Sequence, residues 1–285
     1  MTLSVREQEV LQEIREWEKR MYEYEVNDFQ RLYDKYIDHS FQLLPEKVRD
    51  QIFLNLDNWL FHLHSFIQGS EMQIDARERI MANGRVFQEQ IDNIEGMKKL
   101  SIDQLQYIAG QQISRHRIYS LAQGGISGTG GAFLVGADIP GMAVINLRAV
   151  QLIAMTYGVE VNTPYEIMTA LKVFNASIHP LRFQSAGWED LMNDLVQENN
   201  RYFYEGNEEL ANITWIDQLL KQALKGMAIV LLRKKMIQGI PFISMALGAG
   251  ANYQCTKKVT DFAHKYYQMR YLIENRGIDN EYTGA

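Results

Sequence analysis

The chain has 285 residues, of which 46% are hydrophobic and 22% charged, with a formal net charge of -6. That length supports one large core or two modest ones, and the composition is globular rather than disordered. The acidic balance excludes a sequence-independent duplex-binding surface, which needs an excess of lysine and arginine, so no nucleic-acid partner is expected.

The one cysteine, Cys255, excludes an internal disulfide framework and a four-cysteine zinc site, and it fits a reducing compartment. Residues 1–9 hold no basic stretch followed by an apolar run, so no secretory signal is predicted and a cytoplasmic location is expected.

Helical spacing dominates, and strict strand-like alternation is rare. Val10, Ile14, Trp17, Met21 and Tyr24 recur at threes and fours, followed by Phe29, Leu32 and Tyr36, which predicts a long amphipathic helix over about 4–38. Pro45 and Glu46 open a second helix carrying Val48, Ile52, Leu56, Trp59, Leu63 and Phe66. A third is expected from Glu71 to about Ile94. Ser101 and Gln104 match a capping box, in which a hydroxyl and an amide satisfy orphan donors at a helix start. The expected organisation is an N-terminal helical arm or bundle over 1–98, a helical domain over 99–275, and a frayed tail over 276–285. The fold class is all-α, a multi-helix bundle with Gly-rich apolar central helices.

The centre changes character. From Ile118 to Ala137 no residue is charged, and Gly124, Gly125, Gly128, Gly130 and Gly131 crowd together. Asp138 is placed as an N-cap with Pro140 in the first turn. The helix that follows, with Met142, Ile145, Leu147, Val150, Ile153, Ala154 and Tyr157, is apolar nearly all round, so most of it is expected to be buried. Gly158 is its predicted stop. A second uncharged segment, Met236 to Thr256, lies between Arg233, Lys234, Lys235 and Lys257, Lys258. An amphipathic stretch over about 165–225 separates the two, and Val259 to Ile273 reads as an aromatic helix.

These residues resemble a known family. The run Gln123 to Gly131, then Gly136 to Pro140, then Asn146 to Ala154 with Arg148, and Tyr157-Gly158, resembles the central signature of the EcsC family. Ile240-Pro241, Gly248 to Asn252 including Gly250, and Ala263 to Arg270 resemble its C-terminal signature. The likeness covers roughly residues 100–275. It implies a helical protein, encoded in some bacteria beside an ABC transporter, with no established catalytic residues to carry over. The Asp-Ile-Pro and Ile-Ala-x-x-Tyr-Gly patterns are also similar to a membrane-proximal helical module attached to some bacterial GTPases.

Chemical motifs in the glycine run fail one by one. A phosphate-binding loop needs a lysine that 124–131 lacks. A dinucleotide fingerprint would need glycine where Phe133 stands. Ser127 lies between Gly125 and Thr129, which breaks the nucleophile elbow. What remains is geometry. Gly124, Gly128 and Gly131 recur at four and three, as Ser244 and Gly248 or Ala246 and Gly250 do at four, so each set shares a small helix face. Such a face serves close packing in a soluble core or contact in lipid, and both readings stay open.

Each segment has about the twenty residues a bilayer span requires. Polar Gln123, Gln238, Asn252 and Gln254, with Pro241, favour interfacial contact instead, with Arg233, Lys234, Lys235, Lys257 and Lys258 meeting anionic headgroups. Arg148 and Asp138 are the two charges between Ile118 and Val159. Capping suffices for Asp138, whereas Arg148 is a candidate for a lipid headgroup or an internal acidic partner. His62 and His64 fall on different helix faces, so no metal is expected, and no cofactor is implied. The functional expectation is a non-enzymatic protein at the membrane face, accessory to a transporter or lipid-handling system. Its rivals are a hydrolase with a site near the Gly-rich segment and Asp138, and a soluble scaffold.

Overall fold

Ser4 starts the first helix by a reciprocal cap: its hydroxyl accepts from Glu7 N at 3.2 Å, and its own N–H donates to the Glu7 carboxylate at 2.8 Å. In the computed structural model, which describes residues 3–23, 70–127, 135–179, 181–196 and 244–278, this helix is α1, Val5–Tyr22. Its apolar stripe, Val10, Ile14 and Met21, is fully or nearly fully buried against two helices introduced below. The expected continuation to residue 38, and the second helix with His62 and His64, lie outside the described residues.

Helix α2, Ser70–Arg85, stops about nine residues short of its expected end near Ile94. Gly84 is the reason. Its carbonyl accepts from both Phe87 N and Gln88 N at 3.0 Å, and the chain folds back over it. A Cβ at Gly84 would lie 2.6 Å from Met97 Sδ and 3.0 Å from Ile91 Cδ1, so only glycine lets those core side chains settle there. Ile91, Ile94 and Met97 are fully buried, and a 3-10 turn, Glu95–Lys99, completes the reversal.

Helix α3, Ile102–Ser127, opens on the predicted capping box: Ser101 N donates to Gln104 Oε1 at 2.9 Å, and Gln104 N to Ser101 Oγ at 3.4 Å. It carries the first half of the uncharged segment. Helix α4, Val135–Thr156, carries the rest. Because α4 begins at Val135, Asp138 and Pro140 fall within its first two turns rather than at its cap, which corrects the capping role expected of Asp138. The burial expected of α4 is observed, with Met142, Ala143, Val150, Ile153 and Ala154 at 0–1% exposure.

Gly158 ends α4 at φ +79°, where the Gly158 N–H bonds to Met155 O and the Val159 N–H to Ala154 O, both at 3.0 Å. This pair of bonds is the Schellman motif, and the left-handed φ favours glycine. Thr163 caps α5, Pro164–Ile178, with Pro164 as its first residue. Helix α6, Leu181–Val196, packs on α5 so closely that a Cβ at Gly187 would lie 2.6 Å from the Ala176 side chain and 3.3 Å from its backbone.

The last helix, α7, Ser244–Arg276, joins part of the second uncharged segment to the aromatic stretch in one 33-residue element. It is the spine of the fold, packing on α3, α4, α5 and α1. Helices α3 and α7 run antiparallel, since Tyr271 donates to Leu100 O near the start of α3 and Arg117 donates to Thr260 further along it. An aromatic group of Trp17, Trp188, Phe262 and Tyr266 locks α1 and α6 onto α7 through edge-on ring contacts. Arg276 at the end of α7 bonds to Glu7 at 2.6 Å, and Gly277 at φ +63° closes the helix. The described residues form helices and turns with no strand, an all-α bundle.

Candidate functional site

Two polar constellations stand out, one inside the bundle and one on its surface. The interior one is centred on Arg270, whose side chain is 4% exposed. Its guanidinium donates to both Glu166 oxygens at 2.6 and 2.7 Å, and its Nε donates to Glu274 at 2.8 Å. Glu274 also receives Lys98 Nζ at 3.1 Å. Burial alone would weaken the proton on Arg270, but the Glu166 carboxylate more than offsets it and holds the guanidinium well above its ordinary value.

Lys98 in turn lies over Gly158. A Cβ there would run into Lys98 Cγ and approach its backbone N to 3.2 Å. One residue earlier, the Tyr157 hydroxyl and His264 Nε2 share a hydrogen bond of 2.9 Å. Burial pushes the Tyr157 phenol well above its ordinary value and His264 down to about 4. Tyr157, Gly158 and Arg270, three candidates of the sequence, are thus brought into one network. Of its other members, Lys98, Glu166 and Glu274 were not singled out, and His264 entered only within the run Ala263 to Arg270. Only the Arg270–Glu274 spacing of four was a legible signal. A charge pair buried as deeply as Arg270–Glu166 holds helices in register.

The surface constellation surrounds Arg148. Arg148 is half-buried on α4, and its proton is weakened first by that burial and next by Arg79 of α2, against a smaller opposing effect from Asp75. Beside it on α3 is His116, 4% exposed, whose Nδ1 lies 3.0 Å from Gln112 O. Burial lowers the His116 pKa, and Arg148, Arg115 and Arg79 lower it further. Three arginines from three helices therefore act on one imidazole, whose ring packs edge-on against Tyr119 at 5.6 Å.

Apolar side chains are also exposed on the outward side of α3. Ile118, Tyr119 and Leu121 are 62%, 52% and 43% exposed, on the same outward arc of α3 as Arg115. Tyr107, 61% exposed, continues that arc and meets the Phe87 ring edge-on. Single exposed apolar side chains are ordinary, whereas a contiguous set rimmed by charge is the mark of a contact surface.

The other candidates divide. Gly124 is buried within α3, Gly125 lies in the same helix, and Asn252 is fully buried on α7. Gly248 lies in the first two turns of α7. A Cβ at Gly250 would meet nothing within 4 Å among the described residues. Lys257 is paired with Asp261 at 2.7 Å. Gly128, Gly130, Gly131, Arg233, Lys234, Lys235 and Pro241 lie outside the described residues.

With this geometry in view, comparison with known proteins gives one decisive match, to the EcsC protein family over residues 8–272. The chain belongs to the EcsC family. That match begins within α1 and ends within α7, so it takes in the N-terminal helix that docks on the bundle as well as the two signature blocks. Among curated proteins of Bacillus subtilis (strain 168), the chain is similar to "Uncharacterized protein YdbA", with 24% identity over 274 residues, 93% of this chain and 92% of that one. It is also similar to "Protein EcsC", with 24% identity over 178 residues, 62% of this chain and 68% of the other. No solved structure matches.

Proposed function

We propose that this EcsC-family protein is a non-enzymatic helical protein that associates peripherally with the cytoplasmic face of a membrane, using the α3 surface beside Arg148. The supporting observation is that exposed Ile118, Tyr119 and Leu121 share the outward side of α3 with exposed Arg115. Arginine side chains meet anionic headgroups at the level where aromatic and aliphatic groups enter the acyl boundary. No helix among the described residues is long and apolar enough to cross a membrane, which fits contact with its surface. In the second uncharged segment Ala251 and Asn252 are buried in the bundle, so this reading assigns lipid contact to the part of the first that lies on α3. A transporter of the same membrane is the protein neighbour that the family likeness suggests.

Cosedimentation tests the reading. The protein should pellet with vesicles containing phosphatidylglycerol and remain in solution with phosphatidylcholine alone. The triple change Ile118→Ser, Tyr119→Ser, Leu121→Ser should abolish pelleting while the melting transition is kept. Pelleting unchanged by the triple substitution would remove α3 as the contact surface, and no pelleting at all would favour a soluble scaffold.

A further inference from the structure

The exposed apolar surface has a second end. Val86 and Phe87, 79% and 41% exposed, stand on the turn that follows α2. Hydrogen bonds fix that turn: Gly84 O accepts from Phe87 N and Gln88 N at 3.0 Å, and Arg85 Nε donates to Ile91 O at 2.8 Å. The Phe87 ring meets exposed Tyr107 of α3 edge-on, with centroids 6.2 Å apart. Tyr107 and Ile118 are eleven residues apart in α3, close to three full turns, so they stand on one line about 17 Å long. Leu121 falls on the same side of the helix.

The charge along this line complements an anionic sheet. The chain carries 35 acidic residues against 29 lysines and arginines. Yet α3 beyond Asp103 holds Arg115 and Arg117 and no carboxylate. Asp103 itself is paired with Arg6 at 2.7 Å, and Arg117 with Asp261 at 2.6 Å. Arg115 is exposed between Tyr107 and Ile118. The Val86 end is different. Arg85 there is paired with Glu78 at 3.7 Å, and Glu89 and Asp92 follow it, both exposed. That end gains from apolar burial and not from charge.

We infer that Val86, Phe87 and Tyr107 form a second membrane anchor, so that α3 lies flat along the headgroups of an anionic leaflet with both ends of its exposed line engaged. This rests on the membrane reading of Ile118, Tyr119 and Leu121. One anchor sets a depth and leaves the tilt free, whereas two anchors about 17 Å apart on one helix set the orientation as well. The side chains suit that depth, since a tyrosine places an apolar ring below the headgroups and a hydroxyl among them.

An environment-sensitive dye on Val86→Cys, and separately on Tyr119→Cys, reports the two ends. The vesicles are phosphatidylcholine with phosphatidylglycerol, carrying brominated acyl chains. Both dyes should shift to the blue and be quenched. The double change Val86→Ser, Phe87→Ser should weaken vesicle binding at least about tenfold, a loss that burial of one such side chain accounts for, while the melting transition is kept. Quenching at 119 with aqueous emission at 86 would overturn the second anchor and leave the membrane reading standing. Aqueous emission at both positions, or quenching at 86 alone, would overturn that reading as well. If the double serine change leaves vesicle binding intact and instead converts a dimer to a monomer in gel filtration, the Val86 end meets a second copy of the chain, and the second anchor is wrong.

Discussion

Arg270 of α7 grips Glu166 of α5 through two hydrogen bonds of 2.6 and 2.7 Å across 104 residues of sequence, with the arginine side chain almost wholly out of water. A bidentate pair of this kind fixes orientation as well as distance, so it sets how α5 lies on the central helix. Desolvating two charges consumes much of what their attraction returns, and such a pair is therefore better evidence for register than for net stability.

Breaking one side of the pair should cost much more than removing both. Arg270→Met or Glu166→Leu alone leaves a buried group without its partner and should destabilise by about 3–5 kcal/mol. The double substitution Arg270→Met, Glu166→Leu should cost clearly less than the sum of the two single changes. Urea unfolding of the four proteins measures this. Additive costs, or single changes within about 0.5 kcal/mol of the parent, the size of an ordinary surface substitution, would mean that the pair does not act as a clamp.

Two glycines in related settings should respond in opposite directions. Gly158→Ala places a side chain at φ +79° and against Lys98, so a loss of at least about 1–2 kcal/mol is expected. Gly110, inside α3, has nothing within 4 Å of a Cβ among the described residues. Gly110→Ala should therefore raise stability by about 0.5–1 kcal/mol. Thermal melts that rank the two variants in the other order would contradict the chain reversal described at the end of α4.

Acid should weaken the fold through His264. Its ordinary value is 6.5, and burial lowers it to about 4 in the folded protein. Above pH 6.5 the imidazole is neutral in both states and contributes nothing to the difference. As pH falls from 6.5 towards 4, the unfolded chain takes up a proton that the folded chain refuses, so stability falls through that window by something on the order of 3 kcal/mol. His116 is shifted downwards too and adds in the same direction. His264→Gln removes one of the two contributions, so the loss of stability between pH 7 and 4.5 should be shallower than in the parent. An unchanged slope in denaturant titrations would show that His264 takes up its proton in the folded state as readily as in the unfolded chain.

Much of the architecture was legible because it is local. The Ser101–Gln104 box, the stop at Gly158 and the all-round burial of α4 each depend on residues within a few positions of one another. The early end of α2 was not legible, because the decisive contact is Met97 seated on Gly84, a tertiary event. Asp138 looked like a cap because Asp-x-Pro is a common helix opening, but α4 had already begun at Val135. Arg148 stood out in sequence as a lone charge in apolar surroundings, yet its companions Arg79 and Arg115 did not, since each sits among ordinary charged neighbours. The outward arc of α3 was hidden for a different reason. Residues 118–127 are apolar or small on every side, so periodicity could not say which face meets water.

Entry of the α3 surface into a bilayer is what peripheral association requires, and a dye at position 119 tests this directly. Cys255 is 4% exposed, so a thiol dye should react with an introduced surface cysteine in preference to it. Tyr119→Cys and Phe183→Cys, the second at a residue 50% exposed on α6, would each carry an environment-sensitive fluorophore. Vesicles of phosphatidylcholine with phosphatidylglycerol should shift the emission at 119 to the blue and expose it to quenching by brominated acyl chains, with position 183 unchanged. If the protein pellets with those vesicles while the dye at 119 keeps its aqueous emission and escapes quenching, α3 is not the face that meets the membrane.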